Sequence, residues 1–374
     1  MLRNDWHMGL RFSVERVEQD VHKVTAFDGD KAVSWLYVID VRLHYGASKV
    51  LAGGVAGVYT PREYRGRGFS AATLRYTVEW MRERGYPLSA LFGIFEYYHR
   101  FGYATFMGEH TVTLSLRNAS RVEAEELEWE VSEDQGYYRS EIAQLYESVN
   151  TRWPGARVRD PASWSGFRKG VSWEHPAKPL VVKEGGKLVA YAALERWPSP
   201  EELLIAEVGA EGHSASLYKS LLKILYKIAL EERKSHIKVH LPPDHPFVRV
   251  ARSYGCTVES FYPWSGGGMA RVIRLKELLE SIKGELQLRS LGVKGALALR
   301  VGGEEATLKV NDGLVEVVEG CEADSILELD PGSAAQLILG FMGAEAVAAD
   351  SEERRLLSTL FNRGEPYVWQ PDRW

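Results

Sequence analysis

Val58-Tyr59-Thr60-Pro61-Arg62-Glu63-Tyr64-Arg65-Gly66-Arg67-Gly68-Phe69-Ser70 joins two stretches of opposite character. Before it, Val50 to Val58 is an apolar run of strand length, and Pro61 stops it. After it, Ser70 to Arg84 has the apolar spacing of an amphipathic helix, ended by Gly85 and Pro87. A strand, a loop of Gly and Arg and a helix start together form an anion cradle. Gly66 and Gly68 let the backbone bend so that several N–H groups point one way. The free N–H groups of the first helical turn add a partial positive charge. Arg65 and Arg67 supply full charges, and the guest that suits them is a phosphate or pyrophosphate.

Two common nucleotide patterns are excluded. A Walker loop requires Gly, four residues and Gly-Lys-Ser/Thr, which is absent, and a dinucleotide fingerprint fails at Gly66-Arg67-Gly68-Phe69-Ser70-Ala71. The stretch resembles instead the pyrophosphate loop of GNAT acyltransferases, Arg/Gln-x-x-Gly-x-Gly/Ala. Arg65 and Gly68 match it, and Ser70 stands at the last, small position. Tyr97-Tyr98-His99-Arg100-Phe101-Gly102-Tyr103 resembles the Tyr-x-x-x-Gly-Phe/Tyr end of the same core, with Tyr98 and Gly102 at the matching positions. The resemblance implies that Tyr98 lies beside the CoA sulfur. Acetyl transfer to an amine expels a thiolate, which a nearby hydroxyl can protonate, and a Tyr with a pKa near ~10 holds its proton at neutral pH.

Together the motifs resemble the enhanced intracellular survival (Eis) acetyltransferases, in which two GNAT folds precede a sterol-carrier-like domain. Ala26-Phe27-Asp28-Gly29-Asp30, the loop at 58–70 and Tyr98 to Tyr103 carry the N-terminal part of this likeness; Leu329-Asp330-Pro331 and Ala335 to Gly340 carry the C-terminal part. The implied fold is α+β, with a catalytic GNAT domain at 1–128, a degenerate copy at 129–280 and a sterol-carrier-like domain at 281–374. The implied cosubstrate is acetyl-CoA, without a metal. Its pyrophosphate is expected on Arg65, Gly66, Arg67, Gly68, Phe69 and Ser70, and its pantetheine along Gly57, Val58 and Tyr59.

Composition agrees. A chain of 374 residues suits two or three domains, and 45% hydrophobic with 26% charged residues is ordinary for a soluble globular protein. A net charge of -5 argues against a nucleic-acid partner. Cys256 and Cys321 form no metal or disulfide pattern and read as buried small residues in a reducing, cytoplasmic setting. No apolar run has the length of a membrane span. A small-molecule or peptide amine is the expected acceptor, and a homo-oligomer the expected assembly.

Lys23 to Ala26, Ala32 to Val41 and Val50 to Tyr59 read as a strand meander, Leu88 to Ile94 as a further strand, Glu96 to Phe101 as a short helix and Thr111 to Leu116 as a closing strand. The segment from Trp129 to Glu280 repeats this order without its chemistry. Ala251 stands where Tyr98 stands, and Gly209-Ala210-Glu211-Gly212-His213 replaces the Arg-Gly loop; Glu211 would repel a pyrophosphate. The copy therefore reads as a scaffold. In the last part Glu285 to Arg289, Gly295 to Val301, Ala306 to Val310 and Leu314 to Val318 read as strands, and helices are predicted from Pro331 to Leu339 and from Ser351 to Asn362.

The resemblance also implies that the terminal carboxylate, here that of Trp374, reaches the first domain as the general base. An acceptor ammonium with a pKa near ~10.4 must lose a proton before it attacks, and a nearby carboxylate can take it. Two departures bear on the acceptor. Only about twenty residues precede the first predicted strand, fewer than the paired helices that usually wall a GNAT acceptor site need. Leu91-Phe92-Gly93-Ile94-Phe95-Glu96 is also more apolar than the family's stretch before the Tyr. The competing function is a non-catalytic carrier or sensor of CoA or lipid.

Overall fold

In the computed structural model, which describes residues 9–197, 199–323, 325–348 and 351–374, the chain forms two units. One takes in the chain up to Met107, Trp264–Pro366 and Trp374; the other takes in Gly108–Pro263 and Tyr367–Arg373.

In chain order the elements are β1 (Arg11–Glu18), β2 (Val21–Asp28), β3 (Lys31–Tyr45), β4 (Ser48–Tyr59), α1 (Phe69–Glu83), β5 (Leu88–Gly93), α2 (Phe95–His99), β6 (Ala104–Thr105), β7 (Glu109–Ser115), α3 (Leu116–Ala119), β8 (Glu128–Val131) and α4 (Arg139–Val149). There follow β9 (Lys178–Glu184), β10 (Lys187–Leu194), β11 (Glu202–Ala210), α5 (Ala215–Glu231), β12 (His236–His240), α6 (Pro246–Arg252), β13 (Thr257–Phe261) and β14 (Gly267–Val272). The chain closes with α7 (Leu275–Arg289), β15 (Lys294–Val301), β16 (Glu304–Asn311), β17 (Leu314–Glu319), β18 (Ile326–Leu329), α8 (Pro331–Ile338) and α9 (Ser351–Leu360).

The first unit holds a sheet in the order β1-β2-β3-β4-β5-β14-β6 and a smaller one in the order β17-β16-β15-β18. The four-residue turn after Phe27 sets up the β2–β3 hairpin, and β3 and β4 pair antiparallel. β4 and β5 run parallel, with α1 as the crossover. The side of α1 bearing Leu74, Val78 and Met81 is buried in a core with Val38, Val55 and Leu91. The second unit repeats the plan in the order β13-β7-β12-β11-β10-β9-β8, and β11 and β12 form its parallel pair across α5. The fold is thus α+β.

Several sequence expectations are corrected. The first strand is β1, not the one at Lys23. Its Phe12 stacks on Tyr76 with ring centroids 4.4 Å apart, and Val14 packs on the core. A strand therefore begins the first unit's described chain where the sequence suggested only a short lead-in. Glu285 to Arg289 lies in α7 rather than in a strand. Leu275, Leu278, Leu279, Ile282 and Leu286 are all buried, and that spacing is helical.

Thr111 to Leu116 does form a strand, β7, but it lies between β12 and β13 in the second sheet. It was expected to close the first unit, and there β14 pairs with β5 instead, Ala270 to Ala90. Alternation along a strand fixes its faces and leaves its partner open. Gly268 suits β14 to its place, since a Cβ there would stand 2.5 Å from Met107 Cγ. Neither Cys is buried: Cys321 is exposed and Cys256 half-buried.

Candidate active site

The parallel pairing of β4 with β5 runs from Ala52↔Leu88 to Val55↔Leu91 and goes no further, although β4 continues to Tyr59. The cause lies on the other edge of β4. Tyr37 pairs with Ala56 and Trp35 with Tyr59, so Gly57 and Val58 together face the single residue Leu36. This bulge bends β4 away from β5. It depends on Gly57, whose φ is +56° and whose absent Cβ would lie 2.9 Å from the Tyr37 ring. The strands part in a V. Along it, Gly57, Val58 and Tyr59 have backbone polar groups not engaged by β5, which can pair with an extended amide-bearing ligand.

The chain then turns through a short 3-10 helix, Arg62–Tyr64, and through Gly66 and Gly68, both left-handed at φ 76° and 82°. Gly68 is the N-cap of α1 and offers no side chain to the first-turn N–H groups, and no acidic residue stands in that turn. A fifteen-residue helix thus presents an open, positively polarised end. Arg65 and Arg67 are exposed beside it. Arg65 is oriented by donating from Nε to the Thr60 carbonyl at 3.0 Å, and Arg67 lies over the Tyr64 ring at 5.9 Å. Phe69 is buried and roots the helix start in the core, and Ser70 accepts a hydrogen bond from Tyr97 Oη at 2.6 Å.

The copy's equivalent helix is closed by its own chain. Ser214 Oγ accepts from Leu217 N at 3.4 Å, and Glu211 is paired with Lys187 at 2.6 Å. An anion has neither an open helix end nor an added positive charge to meet there.

Tyr98 comes from α2, which follows β5 directly. Its ring lies over Gly93, where a Cβ would stand 2.2 Å from Tyr98 Cε2. Burial, then the neighbouring Tyr97 and Tyr103, push the Tyr98 hydroxyl up to about 12, so it stays protonated throughout the physiological range. Tyr103 is fully buried behind it, sharing a 2.8 Å hydrogen bond with Ser89 Oγ. Glu96 is exposed.

Trp374 lies on the other side of the sheet. Its indole meets Phe92 edge-on at 5.2 Å between centroids. It also covers Gly54, where a Cβ would stand 2.7 Å from Trp374 Nε1. The residue is 9% exposed and belongs to the first unit. The structure therefore brings Gly57–Tyr59, Arg65–Ser70, Tyr98 and Trp374 to the elements flanking one V. The sequence reading missed the glycines beneath the two aromatic rings, Gly93 and Gly54. No local signal marks a glycine as the seat of a ring that comes from elsewhere in the chain.

Comparison with known proteins fits this geometry. Residues 7–106 match the family described as Acetyltransferase (GNAT) domain. No curated protein matches the chain. Among solved structures, a probable N-acyltransferase from Enterococcus faecalis V583, described as a conserved protein of unknown function, aligns at 16% identity and a TM-score of 0.77, covering 95% of this chain and 89% of its own. A GCN5-related N-acetyltransferase from Anabaena variabilis ATCC 29413 aligns at 18% identity and 0.75, covering 94% and 89%. Eis1 from Mycobacterium abscessus aligns at 17% identity and 0.66, covering 94% and 90%. At these identities the likeness is one of fold, and it runs over nearly the whole chain.

Proposed function

We propose that this chain, an N-acetyltransferase by its GNAT domain, transfers an acetyl group from acetyl-CoA to a primary amine of a small polyamine, aminoglycoside-like or lysine-like acceptor. The observation that carries the reading is the parting of β4 from β5 after Val55↔Leu91, beside the uncapped start of α1. Arg65, Gly66, Arg67, Gly68, Phe69 and Ser70 hold the pyrophosphate, and Gly57, Val58 and Tyr59 pair with the pantetheine.

Bound acetyl-CoA supplies a thioester. The Trp374 carboxylate takes the proton that the acceptor ammonium must lose. The nitrogen adds to the acetyl carbonyl carbon, the carbonyl pair moving to oxygen, and as that pair returns the carbon–sulfur bond breaks and Tyr98 gives its proton to the departing sulfur. The nitrogen gives its remaining excess proton to solvent as it becomes an amide, Tyr98 regains a proton from solvent, and Trp374 releases its own there. A general acid on one face of β5 and a general base on the other separate the two proton transfers, one at the departing sulfur and one at the acceptor nitrogen.

Within this reading the catalytic domain is 1–128, the degenerate copy 129–280 and the sterol-carrier-like part 281–374, with β7 and β14 exchanged between the two GNAT sheets. Cytoplasmic placement rests on the absence of a disulfide pattern at Cys256 and Cys321, and a homo-oligomer is part of the proposal. Among the described residues no helix is long and apolar enough to cross a membrane. The test is a screen of polyamines, aminoglycosides and lysine peptides with acetyl-CoA, read by thiol release and by product mass. Thiol release that depends on an amine supports the transferase. Acetyl-CoA binding with no release under any amine leaves the carrier reading in its place.

A further inference from the structure

The second unit keeps the V of the first. β11 pairs with β12 only from Glu202↔His236 to Ile205↔Val239 and then runs on to Ala210. Two residues past the last pair stands Glu207, fully buried. Arg159, also fully buried, donates to it from Nη1 at 2.8 Å and from Nη2 at 2.5 Å. The other edge of the guanidinium, Nε and Nη2, donates to Asp372 at 3.1 and 2.9 Å. Tyr191 Oη completes Glu207 at 2.6 Å, and the Tyr146 and Trp164 rings cover the guanidinium at 3.8 and 4.6 Å. Asp372 belongs to the C-terminal tail, 3% exposed, and its 3-10 turn Gln370–Asp372 packs on β11. The copy's cleft is filled by the chain's own end.

A buried charge triad is a poor device for stability, because desolvation consumes most of the pairing energy. It is a good device for register. Apolar contacts alone would tolerate a tail displaced by one residue. Here a one-residue slip would bring Arg373 into the place of Asp372, against Arg159, and leave two buried positive charges together. The next link is fixed the same way. Arg373 Nη1 donates to Glu109 at 2.6 Å, Gln370 Nε2 donates to the same carboxylate at 3.0 Å, and Lys169 Nζ donates to the Arg373 carbonyl at 3.0 Å.

We propose that Arg159, Glu207 and Asp372 form a register lock for the C-terminal tail and act as positioning residues for the terminal carboxylate of Trp374, two residues beyond Asp372. The catalytic half of this inference rests on the acetyltransferase reading; the lock itself does not.

The test is Asp372→Asn in the full-length chain, which removes the charge at constant size, and Asp372→Glu, which restores it. Carboxypeptidase Y with intact-mass detection should leave Trp374 on the wild type and release it at least tenfold faster from Asp372→Asn. In the same variant kcat should fall at least tenfold while KM for acetyl-CoA holds, and Asp372→Glu should recover part of both. Unchanged protection in Asp372→Asn overturns the lock, and faster release with unchanged kcat overturns the positioning role. Faster release alongside full turnover of a protein amidated at Trp374 leaves the lock standing and removes the carboxylate-base reading. Should Asp372→Asn fail to fold, hydrogen exchange on the wild type decides: amides of Val368–Arg373 as slow as those of β11 support the lock, and fast exchange overturns it.

Discussion

Tyr98 and Trp374 lie on opposite faces of β5. Tyr98 covers Gly93 on the side that Leu91 shares with the core, whereas Trp374 meets Phe92, which points the other way. β4 repeats the division, with Gly53 against Met81 of α1 and Gly54 against Trp374. A ligand running between the two strands is therefore open to one residue from each side.

The cradle at the start of α1 is tested by Arg65→Glu combined with Arg67→Glu. Acetyl-CoA should raise the melting temperature of the wild type. The double variant should lose that shift and bind at least about tenfold more weakly, because both added charges repel the pyrophosphate. Glu211→Ala, in the copy, should bind as the wild type does. A wild-type shift in the double variant would place the pyrophosphate elsewhere.

Tyr98→Phe should lower kcat about 10- to 1000-fold with little change in acetyl-CoA affinity, and Tyr97→Phe should be much milder. The pH profile adds a sign. An acid must be protonated to act, and a hydroxyl pushed up to about 12 remains so below that pH. Wild-type kcat should thus show no alkaline fall owing to Tyr98 up to about pH 10. An alkaline limb near pH 9 that vanishes in Tyr98→Phe would contradict the burial of this hydroxyl.

Gly93→Ala probes the seat of Tyr98 without altering its hydroxyl. The new methyl, 2.2 Å from Tyr98 Cε2, forces the ring to move. The expected result is a kcat loss approaching that of Tyr98→Phe, a destabilisation of about 1–3 kcal/mol from overpacking, and a retained acetyl-CoA shift. Wild-type kcat in this variant would show that the position of the ring does not matter to turnover.

Amidating Trp374 by semisynthesis removes the terminal charge with almost no added bulk and should abolish most turnover while the melting temperature holds. Gly54→Ala should act on the same group from beneath, since its methyl would stand 2.7 Å from Trp374 Nε1. Undiminished turnover in the amidated protein would exclude the carboxylate as base, and Glu96 would be the next side chain to replace.

The Arg-Gly loop, the helix after it and the strand before it were legible because each depends on residues close together in sequence. Pro61 ends the run, Gly66 and Gly68 permit the left-handed turns, and Leu74, Val78 and Met81 repeat at helical spacing. The meander of β2 to β4 was legible for the same reason. Partnership was not. Nothing in the alternation of β7 says that it pairs with β12, and nothing around Gly268 says that β14 joins β5, because pairing is settled by which surfaces fit after collapse.

The buried triad was equally hidden. Arg159, Glu207 and Asp372 are separated by tens to hundreds of residues, and each alone resembles a solvated surface charge. Sequence by itself determined the local elements, a Gly-Arg loop at a helix start, a Tyr on a short helix after a strand and an aromatic tail. Only the tertiary structure decided that β4 runs on unpaired by β5 in the first unit while the chain's own end packs on β11 in the second, since that difference depends on charges brought together by long-range folding and on which of them are sealed from water.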